Sequence, residues 1–397
     1  MAVTASAWPM KRLKDITSKI GSGATPRGGK NGYKAKGVSL IRSLNVYDFS
    51  FTEEDLAFIG DEQAAELDNV IVQRDDILLN ITGASVARCC LTNPKFLPAR
   101  VNQHVAIVRV RPDVTDARFV LYCINSLHFK SRLLALAQGG ATREALTKTT
   151  IEDFEVCQPP LPMQQRIAGI LSAYDDLMEN SQRRIKILES MARALYREWF
   201  VHFRFPGHEK HPRVASPLGD IPQGWEVKLV KDILSRRAAG TVYRDEDVKP
   251  EGAIPVLDQS TNELLGFHDN KPDHHASPVM PIAIFGDHTC KMQLLIEPFS
   301  VGPNVVPFAA GRELPAAYVF FAVNSLVETQ EYKRHWISLN AKEVIVADRM
   351  LAQRFSSLIQ PMLVEKATLR KAIRKLRRTR DLLLPRLLSG QIEIGNN

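Results

Sequence analysis

Two stretches of the chain set apolar residues at alternating steps of four and three. The first runs Ile167, Leu171, Tyr174, Met178, Ser181, Ile185, Leu188, Ala192, Leu195, Trp199, and only Ser181 breaks it. The second runs Phe355, Ile359, Met362, Lys366, Leu369, Ile373, Leu376, Arg380, Leu383, Leu387, each position being the first plus 188. Lys366 and Arg380 interrupt this second stripe, but their long stems can still cover an apolar seam. A heptad repeat held over more than four heptads predicts two long helices packed as a coiled coil. Two copies of one stripe have each other as partner, so an antiparallel intramolecular pair is expected. Pro361 is expected to bend or restart the second helix, and Pro385 to end or kink it. From Ile167 to Trp199 is 32 steps, about 48 Å of helix at ~1.5 Å per residue.

The segments at about 10–158 and 217–346 have a different texture. They are rich in Gly and Pro and carry short β-type runs at Val38–Ile41, Ile77–Leu79, Val105–Val110, Ile282–Phe285 and Glu343–Val346. Mixed α+β globules are the natural reading. Phe205 to Gly224 holds four prolines and three glycines and reads as the linker into the second half.

The chain also echoes itself. Trp8-Pro9-Met10-Lys11-Arg12-Leu13-Lys14-Asp15-Ile16 returns as Trp225-Glu226-Val227-Lys228-Leu229-Val230-Lys231-Asp232-Ile233. Ile124-Asn125-Ser126-Leu127 returns as Val323-Asn324-Ser325-Leu326, and Gln165-Arg166-Ile167 as Gln353-Arg354-Phe355. Three echoes in one order imply a tandem duplication of roughly 190–200 residues. The expected fold is α+β: two tandem recognition globules separated by two long antiparallel helices, with a pseudo-twofold internal duplication. The division this implies is 1–160, 161–204, 205–348 and 349–397.

Composition narrows the class. With 45% hydrophobic and 24% charged residues the chain can bury real cores, and disordered or disulfide-scaffold classes are excluded. No apolar run is long enough to span a membrane, and the N-terminus lacks a secretory h-region. Five cysteines without CxxC spacing favour reduced thiols and a cytoplasmic protein. The formal charge of +8 suits a polyanionic partner without demanding one. Nine basic residues against two acidic ones fall between Glu365 and Arg386, a density read most simply as a solvated helix face.

Enzymatic readings find little support. Asn93-Pro94-Lys95-Phe96 lacks the second proline of an amino-methyltransferase motif, and Gly21-Ser22-Gly23 follows a helix-like stretch rather than a strand. Glu53-Glu54-Asp55 and Asp245-Glu246-Asp247 read as solvated loops rather than Mg²⁺ sites. No residues have the spacing of a zinc site. No catalytic residue and no metal ligand is assigned.

In their order, several strings resemble the DNA-specificity subunit of type I restriction-modification systems. They are Gly21-Ser22-Gly23-Ala24-Thr25-Pro26, Asp76-Ile77-Leu78-Leu79-Asn80-Ile81-Thr82-Gly83, Asn102-Gln103-His104-Val105-Ala106, and Gly139-Gly140-Ala141-Thr142-Arg143. Pro159-Pro160-Leu161-Pro162-Met163-Gln164-Gln165-Arg166-Ile167-Ala168 leads into the first helix, and Glu198-Trp199-Phe200-Val201 closes it. Ile221-Pro222-Gln223-Gly224-Trp225 and Leu384-Pro385-Arg386-Leu387-Leu388-Ser389-Gly390 complete the series. The second half departs from the pattern, with Pro281-Ile282-Ala283-Ile284-Phe285-Gly286 in place of the Asp76–Gly83 string.

The resemblance implies a non-catalytic subunit that recognises an asymmetric bipartite site in double-stranded DNA. It implies two methyltransferase subunits and restriction/translocase subunits as partners, with no membrane contact. No cofactor is expected on this chain; S-adenosylmethionine, ATP and Mg²⁺ belong to the partner subunits. The alternative is an assembly or anti-restriction scaffold on the same duplicated fold that does not bind DNA. Arg suits guanine, and Asn or Gln suits adenine, in the major groove. The candidate base readers are accordingly Arg42, Ser43, Asn45, Thr82, Arg88 and Arg143 in the first globule. In the second they are Gln259, Ser260, Asn262, His288, Lys291 and Lys333.

Overall fold

A computed structural model describes residues 8–138, 144–260, 264–311, 313–329 and 334–392. The chain divides into two compact units, 1–179 with 374–397, and 180–373. Each unit is mixed α/β and takes in part of each of two long helices, Leu161–Tyr196 and Arg349–Leu388.

In the first unit the apolar run Val105–Val110 is one of two inner strands of an antiparallel sheet ordered Thr17–Ser22, Val105–Val110, Ile77–Asn80, Cys89–Leu91. The inner strands are buried almost throughout, which is why they read as continuous apolar runs rather than as alternation. A second sheet, ordered Ala57–Ile59, Val38–Ile41, Ala99–Val101, Ile71–Val72, pairs Val38–Ile41 parallel to Ala99–Val101. Met10–Arg12 and Glu155–Cys157 form a ribbon beside them.

The second unit has the same plan. Leu234–Arg236, Val305–Ala310, Ile282–Gly286 and Met292–Leu295 form its antiparallel sheet. Leu264–His268, Ile254–Leu257 and Ser300–Val301 form the smaller sheet, again with one parallel pair. Glu226–Leu229 and Glu343–Val346 make the ribbon. Both ribbons begin in the repeated Trp-containing string.

All twenty stripe positions of the two helices are buried or half-buried, whereas Leu177, Ile187 and Met191, off the stripe, are exposed. Within the first unit Ile167 and Leu171 share a core with Leu384 and Leu387, and Asp175 meets Arg380. Within the second, Ile185 and Ala192 are buried, Tyr196 and Trp199 pack on Phe355, and Arg184 pairs with Glu365. In each unit the contacting positions run in opposite directions along the chain, so the helix segments are antiparallel there.

Three expectations need correcting. The second helix is assigned without a break from Arg349 to Leu388, so Pro361 does not restart it and Pro385 does not end it. Both prolines are exposed, so water can serve the carbonyls that lose an N–H partner while the buried seam holds the helix. Residues 205–224 are not a plain linker, because Arg213–Ser216 and Gly219–Pro222 pair as a hairpin. Gly21 and Ser22 end a strand rather than follow a helix. The strand gives way to a loop, where a Cβ on Gly23 would lie 1.6 Å from the Val101 carbonyl oxygen. That glycine is required by close backbone approach, not by a phosphate.

Candidate nucleic-acid interface

In the first unit the loop after Val38–Ile41 and the loop after Ile77–Asn80 meet around an open depression of about 470 Å³. Its lining is Ser43, Leu44, Tyr47, Thr82, Gly83, Ala84, Ser85, Arg88 and His104. Three sequence candidates, Ser43, Thr82 and Arg88, are thus brought together.

Asn80, fully buried, assembles the site. Its amide nitrogen donates to the Ser43 carbonyl (2.9 Å), the Val46 carbonyl (3.4 Å) and the Ser85 hydroxyl (3.2 Å). One side chain therefore ties both loops through its donors, while its Oδ1 is buried without a hydrogen-bond partner. The acid of the same string, Asp76, is also fully buried and takes two charge-assisted bonds from Arg109, at 2.7 and 2.8 Å. The Asp76–Gly83 string therefore acts as a scaffold at Asp76 and Asn80 and presents Thr82 at its end.

Above this scaffold the polar groups are pre-set. The Arg88 guanidinium lies 5.1 Å from the Tyr47 ring centroid, a cation–π contact that limits its rotamers. Thr82 Oγ1 and His104 Nδ1 are 2.6 Å apart. His104 Nε2 and Gln103 Nε2 are 3.1 Å apart, and Thr25 Oγ1 donates to Gln103 Oε1 at 2.6 Å. A row of hydroxyl, imidazole and amide groups beside an arginine on an aromatic platform is what base-edge hydrogen bonding needs.

The remaining candidates fall elsewhere. Asn45 is fully buried and cannot face a groove. Its Oδ1 accepts from the Arg42 N–H (3.0 Å), and its Nδ2 donates to the Thr52 and Glu54 carbonyls (3.2 and 3.1 Å). Asn45 is a turn residue whose local bonds outcompete external ones. Arg42 lies outside the depression lining, over the Tyr33 ring at 5.4 Å and bonded to the Asp55 carbonyl. Arg143, Asn262 and Lys333 lie outside the described residues.

The second unit brings together the two equivalent loops, 258–260 after Ile254–Leu257 and 287–291 after Ile282–Gly286. Gln259 Oε1 accepts from the His288 N–H (3.0 Å), and the Thr289 hydroxyl donates to the Gln259 carbonyl (2.8 Å). Gln259, Ser260, His288 and Lys291 therefore sit on two loops tied to one another, with Ser260 and Lys291 exposed. Here Gln259 does the tying that Asn80 does in the first unit.

Sequence reasoning missed Leu44, Tyr47, Ser85 and His104. Leu44 and Tyr47 are 39% and 45% exposed. No local pattern announced them, because the outward direction of Tyr47 follows from contacts between loops distant in sequence.

The two charged exceptions of the second stripe each find a carboxylate on the facing helix. Lys366 Nζ lies 2.6 Å from Glu189 Oε1, and Arg380 Nη1 2.5 Å from Asp175 Oδ1. Burial alone would raise the Glu189 pKa, but Lys366, then Arg370 and Arg193, outweigh it and hold that carboxyl below its ordinary value.

Among the described residues no group of three or more His, Cys, Asp or Glu is placed to hold a metal ion, and no helix is long and apolar enough to cross a membrane.

Comparison with known proteins agrees with this construction. Residues 5–190 match the family described as type I restriction modification DNA specificity domain. The chain is 24% identical to the type I restriction enzyme MjaIX specificity subunit of Methanocaldococcus jannaschii, over 98% of this chain and 94% of that one. The putative type I restriction enzyme MjaX specificity subunit of the same organism is 23% identical over 66% of this chain and 61% of its own. The crystal structure of a type I restriction-modification S subunit from M. genitalium aligns with a TM-score of 0.59 over 96% of each chain, at 15% identity, a likeness of fold. A doubled α/β plan on two long helices and these matches point the same way: the chain is similar to type I restriction-modification specificity subunits, and its residues 5–190 match their DNA specificity domain.

Proposed function

We propose that this chain, a non-catalytic specificity subunit, reads an asymmetric bipartite sequence in double-stranded DNA, each unit contacting one half-site. The observation that carries the reading is the recurrence of one loop pair in both units with different side chains. Ser43, Thr82 and Arg88 occupy it in the first, and Gln259, Ser260, His288 and Lys291 in the second. Equal frames with unequal readers call for unequal half-sites.

In this reading residues 1–160 and 205–348 are target-recognition domains of a tandem duplication. Residues 161–204 and 349–397 are the coiled-coil spacer that sets the gap. Two methyltransferase subunits and the restriction/translocase subunits dock on the chain and bring S-adenosylmethionine, ATP and Mg²⁺; this chain supplies only recognition. Its working place is the cytoplasm, with the DNA.

The test is selection from a random-sequence duplex library by the full chain in complex with its methyltransferase partner. A consensus of two unlike parts at fixed separation is expected. Recovery of no consensus from an assembled complex would overturn the reading in favour of a scaffold role.

A further inference from the structure

In the first unit one residue of the helix seam stacks on the hairpin that carries Tyr47. Arg380 stands at a stripe position and is 6% exposed. Its Nη1 donates to Asp175 Oδ1 on the facing helix, and its Nε and Nη2 donate to Asp381 Oδ1 at 3.0 and 2.8 Å. Burial opposes the charge on Arg380, but Asp175 and Asp381 outweigh it and keep the guanidinium protonated.

The guanidinium carbon lies 4.1 Å from the centroid of Phe49. Phe49 also meets the Tyr122 ring at 5.7 Å, and the Tyr122 hydroxyl donates to the same Asp175 carboxylate. One half-buried carboxylate thus holds both groups that enclose Phe49.

Phe49 lies in the turn of the hairpin Val46–Tyr47/Ser50–Phe51, with φ at 62°. That left-handed conformation is costly for a bulky residue, which keeps it only where its surroundings over-determine it. Here they do so through the Arg380 and Tyr122 contacts and the Phe49 N–H donated to the Cys89 carbonyl at 3.0 Å. Two residues back on the hairpin is Tyr47, the platform for Arg88.

We propose that Arg380 is a positioning residue for the DNA-facing depression: by stacking on Phe49 it holds the Val46–Phe51 hairpin in the conformation that sets Tyr47 against Arg88. A mere counter-ion for Asp175 could be a lysine. The planar guanidinium is what a lysine cannot supply against an aromatic face. The specificity part of this proposal rests on the DNA reading above; the mechanical part does not.

The test uses Arg380→Lys, which keeps the charge beside Asp175, and Phe49→Leu, which keeps the whole ion-pair network. Both are made in the full chain with its methyltransferase partner. Exchange of the Phe49 amide hydrogen should quicken about tenfold in Arg380→Lys at an unchanged melting temperature. In the duplex-library selection each variant should lose preference within one half of the consensus only, and the double variant should be no worse than the worse single. Unchanged amide exchange, additive losses, or equal weakening of both halves would overturn the positioning role. A wild-type complex that selects no consensus would overturn the DNA reading and the specificity part with it. A wild-type consensus that both variants leave intact would overturn the positioning role alone.

Discussion

Arg88 and Asn45 are both polar loop residues of the first unit, and burial separates them. Arg88 lines the open depression with its guanidinium braced on Tyr47. Arg88→Ala should therefore weaken binding by about 1–3 kcal/mol and relax one position of one half-site, at unchanged stability. Asn45→Ala should do the reverse. It strands partly buried backbone groups at residues 42, 52 and 54, so stability should fall by about 1–3 kcal/mol. Library selection and thermal melting on both variants separate the two roles; a specificity change from Asn45→Ala without a melting change would reverse them. Among the sequence candidates Ser43, Thr82 and Arg88 line the depression, whereas Gln103 and His104 stood in a quoted string without being singled out. The strings could not reveal that Asn45 faces inward or that Tyr47 faces out. Those facts depend on contacts such as Asn80 with Ser43, 37 residues apart.

At the scale of elements the long helices were the most legible feature, since a heptad stripe states which side is buried whatever the partner. Every stripe position lies on the covered side. Less legible was the treatment of Lys366 and Arg380, whose stems were expected only to cover the seam. Each instead meets a carboxylate, Glu189 or Asp175, that lies one residue along from its own stripe. The expectation that a proline would restart or end the helix failed for a related reason, because propensity describes an isolated helix and these prolines sit on the exposed side of one held by its seam. The Glu189 pair has a pH signature. A carboxyl held below its ordinary value contributes stability above that value, and the contribution is lost as pH falls through the depressed one. Glu189→Gln should therefore melt below wild type near neutral pH, and the gap should close on acidification below about pH 4. A gap that persisted under acid would mean that shape rather than charge sets the contribution of Glu189.

On the whole-molecule scale the shared plan of the two units predicts that recognition is modular, and the second unit shows what an exchange must preserve. Residues 217–346 contain the sheet, the ribbon and the two candidate loops. Their seat is aromatic: Tyr318 packs on Phe200 at 4.8 Å and Phe321 stacks on Tyr196 at 6.0 Å, with Phe355 against both Phe200 and Phe321. The Tyr318 hydroxyl also accepts from the Ala347 N–H at 2.9 Å, just past the end of the segment. Replacing 217–346 with the corresponding segment of a relative that keeps both rings should change one half-site of the selected consensus and leave the other intact. A donor segment carrying Ala at the positions of Tyr318 and Phe321 should lower the melting temperature and weaken both half-sites together. Truncating a packed ring costs about 3–5 kcal/mol, a large part of a domain's margin. The two donors distinguish failure of the seat from failure of modularity. If the ring-keeping exchange folded at wild-type stability yet altered both half-sites, the units would not read DNA independently.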